Sequence, residues 1–291
     1  MPITLPTDNK VLACVDRSHF ADTVADCAAW AATRMAAPLE FLHIIDRHPE
    51  IGSGEDHSGA IGIDAQEHLL HELSEKDATT SRAAREAGRI FLNRLRERAV
   101  AAGVAAPDIR QRHGEMEETL VEQEAGVRLF VLGRRGESAE ATQRDLGGNV
   151  ERVVRALHKP ILTVTENFRE PRRFMIAYDG SSIARRGIEM VAASPLFKGL
   201  PCHLLMSGKA SVEAEKQLAW AQTALAEAGF AVEAELVPGD AESTIARTVK
   251  EAEIDLLIMG AYAHSPIRSL LFGSRTSDLL RAATVPTLLL R

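Results

Sequence analysis

Leu129-Phe-Val-Leu-Gly133 returns as Leu256-Leu-Ile-Met-Gly260 at an offset of 127 residues. Each is a short apolar run closed by glycine, the pattern of a strand buried on both faces. On either side of these runs, Lys159-Pro160-Ile-Leu-Thr-Val164 answers to Val285-Pro286-Thr-Leu-Leu-Leu290 at an offset of 126, and Val11-Leu-Ala-Cys-Val-Asp16 to Phe174-Met-Ile-Ala-Tyr-Asp179 at 163. The chain is two copies of one unit. The larger offset at the front means that the first copy carries 36 additional residues. These fall at about 48–80, where the second copy has no counterpart. A charged connector containing Pro171, residues 166–172, separates the copies. The expected units are thus 1–167, with a helical insertion at about 48–80, and 171–291.

Within each copy, apolar runs alternate with amphipathic stretches. Strands are expected at 11–15, 39–45, 129–132 and 161–164, and in the second copy at 174–178, 203–206, 231–237, 256–259 and 287–290. Phe20, Val24, Cys27 and Ala31, and again Leu92, Leu95 and Ala99, recur at helical spacing. Further helices are expected at 184–193, 212–227 and 243–251. Continuous apolar strands need helices on both faces, and strand–helix alternation makes right-handed crossovers. The fold class is α/β, with two tandem open, mostly parallel sheets flanked by helices.

Composition narrows the function. The 291 residues hold 41 acidic and 34 basic side chains, a net charge of −7, with aromatics at 4%. For a mildly acidic chain without a Lys/Arg block or stacking aromatics, no nucleic-acid partner is expected. The longest stretch free of Asp, Glu, Lys and Arg runs over 256–267, too short for a membrane span of ~20 residues. The N-terminus lacks a charged start with an apolar core, so no signal peptide is expected. Cys14, Cys27 and Cys202 form neither a CxxC pair nor a disulfide framework. A cytoplasmic protein is expected.

Ligands of open α/β sheets bind beyond the carboxyl ends of the strands, at the switch in strand order. Three landmarks of each copy fall there. Asp16 and Asp179 close the first strand, Gly133 and Gly260 close the fourth, and Gly147-Gly148-Asn149 and Gly273-Ser274 open the last helix. A glycine after a buried strand admits a ribose or phosphate close to the backbone. A Gly-Ser at a helix start offers free N–H groups and the positive dipole end to an anion. An Asp can accept from an adenine amino group or a ribose hydroxyl. The same residues have a plainer reading: glycines that make turns, a serine and an aspartate that cap helices.

The spacing adds a family resemblance. Gly260-Ala-Tyr-Ala263-His264-Ser-Pro-Ile-Arg-Ser-Leu-Leu-Phe-Gly273-Ser274 resembles the universal stress protein signature of Gly, two residues, Gly, nine residues, Gly, then Ser or Thr. Ala263 stands at the second glycine. The first copy keeps Gly133 and Gly136, but ten residues precede Gly147, and Gly148 replaces the hydroxyl residue. Ala177-Tyr-Asp-Gly-Ser181 and the closing 285–290 extend the resemblance over nearly the whole chain, twice. The family has ATP-binding members and members that lack the phosphate loop, on a fold of the adenine-nucleotide α-hydrolase type. The resemblance implies an adenine site at Ala177 and Asp179, a ribose site at Gly260 with Met259 beside it in the pocket, and a phosphate cradle at Ala263, His264, Gly273 and Ser274. In the first copy it implies Cys14 and Asp16, Gly133, and Gly136, Gly147 and Gly148. It also places the last strand of each copy at a sheet edge. Because an apolar edge needs cover, the copies are expected to pair through 161–164 and 287–290.

Other constellations point elsewhere less strongly. Glu67-His68-Leu-Leu-His71-Glu72 puts two histidines at i, i+3, but neither HExxH nor a third ligand accompanies them; no metal site is expected. GxSxG is absent, and Gly208-Lys209-Ala210 lacks both the leading glycine and the hydroxyl of a P-loop. Nor does the chain carry SGGxDS or HxGH, the marks of related enzymes. The function expected is an ATP-binding regulatory or stress-response module, with Mg as an accessory, the second copy favoured, and no efficient catalysis. An unknown regulatory protein and a homo-oligomer, for instance a dimer, are the expected partners. The alternative is a scaffold of the same fold that binds proteins and no nucleotide. The apolar stripe of Leu69, Leu70 and Leu73 in the insertion marks it as an interaction element.

Overall fold

Successive residues of a strand point to opposite faces, so runs as apolar as 129–132 must be covered twice. The computed structural model describes residues 9–45, 63–134, 148–261, 279–281 and 283–291, the side chains of 63–81 and 148–149 excepted. The first half comprises β1 (Lys10–Cys14), α1 (Ala21–Met35), β2 (Leu39–Ile45), α2 (Ile63–Ala101), β3 (Asp108–His113), α3 (Met116–Gln123), β4 (Val127–Gly133), α4 (Gly148–Ala156) and β5 (Ile161–Val164). The second comprises β6 (Phe174–Ala177), α5 (Ser182–Ala193), β7 (Cys202–Ser207), α6 (Val212–Glu227), β8 (Val232–Val237), α7 (Ala241–Glu251), β9 (Leu256–Gly260) and β10 (Thr287–Leu290).

The ten strands of the described residues form one sheet, in the order β3-β2-β1-β4-β5-β10-β9-β6-β7-β8. Every pairing is parallel except β5 with β10, where the halves meet antiparallel. The expected pairing through the last strands is therefore present within the chain, and it merges the two sheets into one. Its register is Thr163 opposite Thr287, Leu162 opposite Leu288 and Ile161 opposite Leu289. Leu162 and Leu288 are equivalent positions of the two copies, so a pseudo-twofold axis runs between them. Because of it, the parallel strands of the two halves point in opposite directions.

One apolar layer lies under α1, α2, α5 and α6 and includes Val131, Leu162, Ile258 and Leu288. The other lies under α3, α4 and α7 and includes Leu12, Phe130, Ile161, Leu257 and Leu289. Both layers run unbroken across the β5–β10 seam. Polar contacts fasten the same seam. The Thr163 hydroxyl donates to the Thr287 carbonyl at 3.2 Å. Arg134, just after β4, donates to the carbonyls of Leu280, Arg281 and Ala283. Arg291, just after β10, donates to those of Arg155 and Leu157. Each half thus sends an arginine to the last carbonyls of the other half's final helix, where a cation also meets the negative dipole end.

Two elements of the first half lie outside the sequence expectation. β3 reads Asp-Ile-Arg-Gln-Arg-His; as an edge strand it carries charges that guard against pairing with another chain, and those charges erase the apolar signal. The short α3 follows it. From Ile63 on, the insertion lengthens the crossover helix: α2 has 39 residues against 16 in α6. At 1.5 Å per residue it spans about 58 Å, and Leu92, Leu95 and Ala99 bury its C-terminal part. The Leu69/Leu70/Leu73 stripe and the His68/His71 pair lie outside the described side chains.

A seam shared by both cores predicts a single cooperative unfolding. Trp30 on α1 and Trp220 on α6 report on one half each. In variants that keep one tryptophan, Leu162→Ala should lower the urea midpoint seen by both reporters equally, at a cost of about 2–5 kcal/mol. Divergence of the two fluorescence transitions would contradict the shared core.

Candidate functional site

In each half the strand order reverses between the first strand and the fourth, β1 and β4 or β6 and β9. The carboxyl ends of those neighbours carry the expected residues. Cys14 lies opposite Leu132, so Asp16 and Gly133 emerge side by side beyond them. Ala177 lies opposite Met259, with Asp179 and Gly260 beyond. Cys14, Ala177 and Met259 all pack on the α3/α4/α7 side of the sheet. The structure thus assembles Cys14, Asp16 and Gly133 at one crevice and Ala177, Asp179, Met259 and Gly260 at the other. Gly148 opens α4. Gly136, Gly147, Ala263, His264, Gly273 and Ser274 lie outside the described residues. The pseudo-twofold places the two crevices at opposite ends of the sheet.

The turn after each first strand is held by its aspartate. Asp16 Oδ1 accepts from the Ser18 N–H at 3.1 Å, and Asp179 Oδ1 from the Ser181 N–H at 2.9 Å. Part of the plainer reading therefore holds: these carboxylates do organise the turn. In the second half Ser181 Oγ then caps α5 by accepting from the Ala184 N–H at 3.2 Å. Asp179 is exposed, and among the described residues its other oxygen accepts no hydrogen bond, so it faces outward as an acceptor. Asp16 is half-buried. The turns differ in their middle residue. Gly180 has φ +74°, a left-handed conformation that the second half meets with glycine; the first half has Arg17 there. Gln217 of α6 lies against Gly180, where a Cβ would come within 1.9 Å of its Oε1.

Gly260 is a different case. It needs no positive φ, and a Cβ there would make only ordinary contact with Ile183 Cγ2 at 3.5 Å. Packing does not demand glycine at this exposed position. The helix that follows β6, α5, presents its N-terminus to this same edge, so a positive dipole end lies where an anion would.

The structure adds residues the sequence did not single out. His43, at the end of β2, is buried with Nδ1 3.0 Å from the Val15 carbonyl, next to Asp16. Its ring meets Phe91 edge-on at 5.5 Å. Arg134 follows Gly133 directly but is turned to the carbonyls of the second half rather than toward the crevice. Both depend on which strands and helices become neighbours, and no local pattern signals that.

Comparison with known proteins agrees with the repeat. The model of the universal stress protein family matches residues 9–165 and 205–291. Universal stress protein Slr1230 of Synechocystis sp. is 32% identical over 285 residues, covering 97% of this chain and 99% of that protein. A universal stress protein from Archaeoglobus fulgidus shares the fold at a TM-score of 0.69, with 16% identity over 98% of this chain and 97% of its own. A functionally unknown protein from Pseudomonas aeruginosa PAO1 does so at 0.60, with 16% identity over 97% and 92%.

Burial, and secondarily Asp16, pushes the Cys14 thiol from its ordinary 9.0 up to about 12; burial does the same to Cys202, and Cys27 moves further in the same direction. At the crevice Cys14 is therefore a small thiol wall rather than a nucleophile. Above pH 9 the unfolded chain releases thiol protons that the folded chain keeps, so stability falls as pH rises. Each thiol should cost about 1 kcal/mol at pH 10. In reducing urea titrations at pH 8 and pH 10, the Cys14/Cys27/Cys202→Ala triple variant should lose correspondingly less stability than the native chain. An equal loss in both would contradict the assignment.

Proposed function

The chain belongs to the universal stress protein family, and from that membership we propose that it binds ATP or a related adenine nucleotide as a stress-responsive regulatory module. The observation that supports this most is the meeting of Asp179 and Gly260 at the carboxyl ends of adjacent strands, at the switch in strand order. In this reading the outward oxygen of Asp179 accepts from the adenine amino group or a ribose hydroxyl, and the unencumbered backbone of Gly260 receives the ribose. Gly273, Ser274, Ala263 and His264 cradle the phosphates, with Mg as an accessory. Asp16, Gly133, Gly136, Gly147 and Gly148 form the corresponding set in the first half. The second half is the preferred site, because its glycine-containing turn and its exposed Asp179 leave the crevice more accessible than the half-buried Asp16 does.

The reading includes no efficient turnover. Phosphoryl transfer needs a lysine on the terminal phosphates and a hydroxyl on Mg, and the sequence has no P-loop to provide them. The protein acts in the cytoplasm as two domains, 1–167 and 171–291, that respond together through their common sheet. The extension of α2 serves as the contact for a regulatory protein or a second copy. Deleting 52–74 should then leave a cooperatively folded protein of altered mass by light scattering, and an unchanged mass would remove the oligomer from the proposal.

Calorimetric titration with ATP tests the site. Asp179→Ala should weaken binding by about tenfold or more, the worth of a hydrogen bond to a charged group. Gly273→Asp should abolish it, since a carboxylate would sit against the anion. Gly260→Ala should weaken ATP while leaving thermal stability unchanged or slightly higher, because the protein itself has room for the methyl. Native affinity in Gly273→Asp, or an ATP-free protein that shows no titration heat, would favour the protein-binding scaffold instead.

A further inference from the structure

On the α1/α5 side of the seam, a pocket of about 190 Å³ opens between the halves. Met35, Leu129 and Pro160 line it from the first half, and Met190, Leu196 and Leu288 from the second. Among the described residues of its lining, Arg128 alone is ionisable. The pocket shares no residue with either crevice.

Arg128 reaches this pocket through an irregularity of the sheet. The β1–β4 ladder pairs Lys10 with Val127 and Val11 with Leu129, which leaves Arg128 as an extra residue without an opposite number. Residues two apart in a regular strand share a face. Val127 and Leu129 instead pack in opposite core layers, as a bulge between them requires. Such bulges re-aim a side chain, and this one turns Arg128 into the seam. The second half has no equivalent: the β6–β9 ladder is regular, and Asp255 at the matching position accepts the N–H groups of Arg172 and Arg173. Arg128 is half-buried, and among the described residues neither a carboxylate nor a carbonyl engages its guanidinium.

A half-buried cation with no anion beside it among the described residues carries a desolvation cost that a bound anion would relieve. The apolar walls beside it call for hydrocarbon, and the two methionines can adjust to its shape. We propose that this seam pocket binds a small amphipathic monocarboxylate, its chain among Met35, Leu129, Met190 and Leu288 and its carboxylate in the fork of Arg128. A dry cavity of ~150 Å³ accepts a benzene-sized ligand, so a chain of about six to eight carbons fits. Because both halves supply the walls, the ligand holds them together and raises the unfolding temperature by mass action.

The test uses the full chain with ¹³C-methyl methionine and octanoate as the probe. Octanoate should shift the Met35 and Met190 methyl resonances and raise the melting temperature. Arg128→Gln should weaken octanoate about tenfold while leaving 1-octanol unchanged, and Arg128→Lys should retain the preference for the acid. Met190→Trp, which fills the mouth, should abolish both responses. Methyl resonances that stay fixed at millimolar octanoate would overturn the proposal. So would equal weakening of acid and alcohol by Arg128→Gln, or octanoate binding that survives Met190→Trp.

Discussion

The antiparallel pairing of β5 with β10 is the constraint on which the rest depends. Each strand is four residues long and fully buried, and alone each would be an apolar edge open to any other chain. Their union removes both edges at once. It also forces the apolar layers above and below to run through, since Leu162 and Leu288 belong to one layer and Ile161 and Leu289 to the other. Once the strands are paired, the ends of the final helices come within reach of Arg134 and Arg291, which satisfy carbonyls that would otherwise lack donors.

The pairing also decides where the two crevices can be. An axis through Leu162 and Leu288 reverses strand direction, so the β1/β4 and β6/β9 crevices open at opposite ends of one sheet. Events at one crevice can reach the other only through the shared core or the helices that cover the seam. α1 contributes most to that cover: Arg34 donates to the Leu196 and Lys198 carbonyls of the second half, and Trp30 lies 5.9 Å from Phe168 of the connector.

The outer edges are handled by charge. β3 carries Arg110 and Arg112, and β8 carries Glu233 and Glu235. Inside them, the same position of the second strand holds Glu40 in one half and His203 in the other. Glu40 pairs with Lys10 at 2.9 Å and Arg110 at 3.3 Å, whereas His203 stands 3.6 Å from Glu235. The two halves thus keep one geometry with arginines on one outer strand and glutamates on the other, and identical edges of two copies would repel each other.

Much of this was determined by the sequence alone. The repeat of Leu129–Gly133 in Leu256–Gly260, together with the alternation of apolar runs and helical spacing, determined the α/β class, because burial on both faces leaves no other way to use such strands. The placement of Asp16, Asp179, Gly133 and Gly260 at strand ends followed from the same runs, since a strand's last residue is visible where its apolar character stops. Tertiary structure decided the rest. β3 escaped detection because an edge strand is selected for charge rather than for burial. That Asp179 meets Gly260, that Arg134 caps the other half's helix, and that a bulge aims Arg128 into the seam all depend on pairing between segments far apart in the chain. Register across a sheet is set by the summed packing of whole faces, and no local stretch of sequence contains that sum.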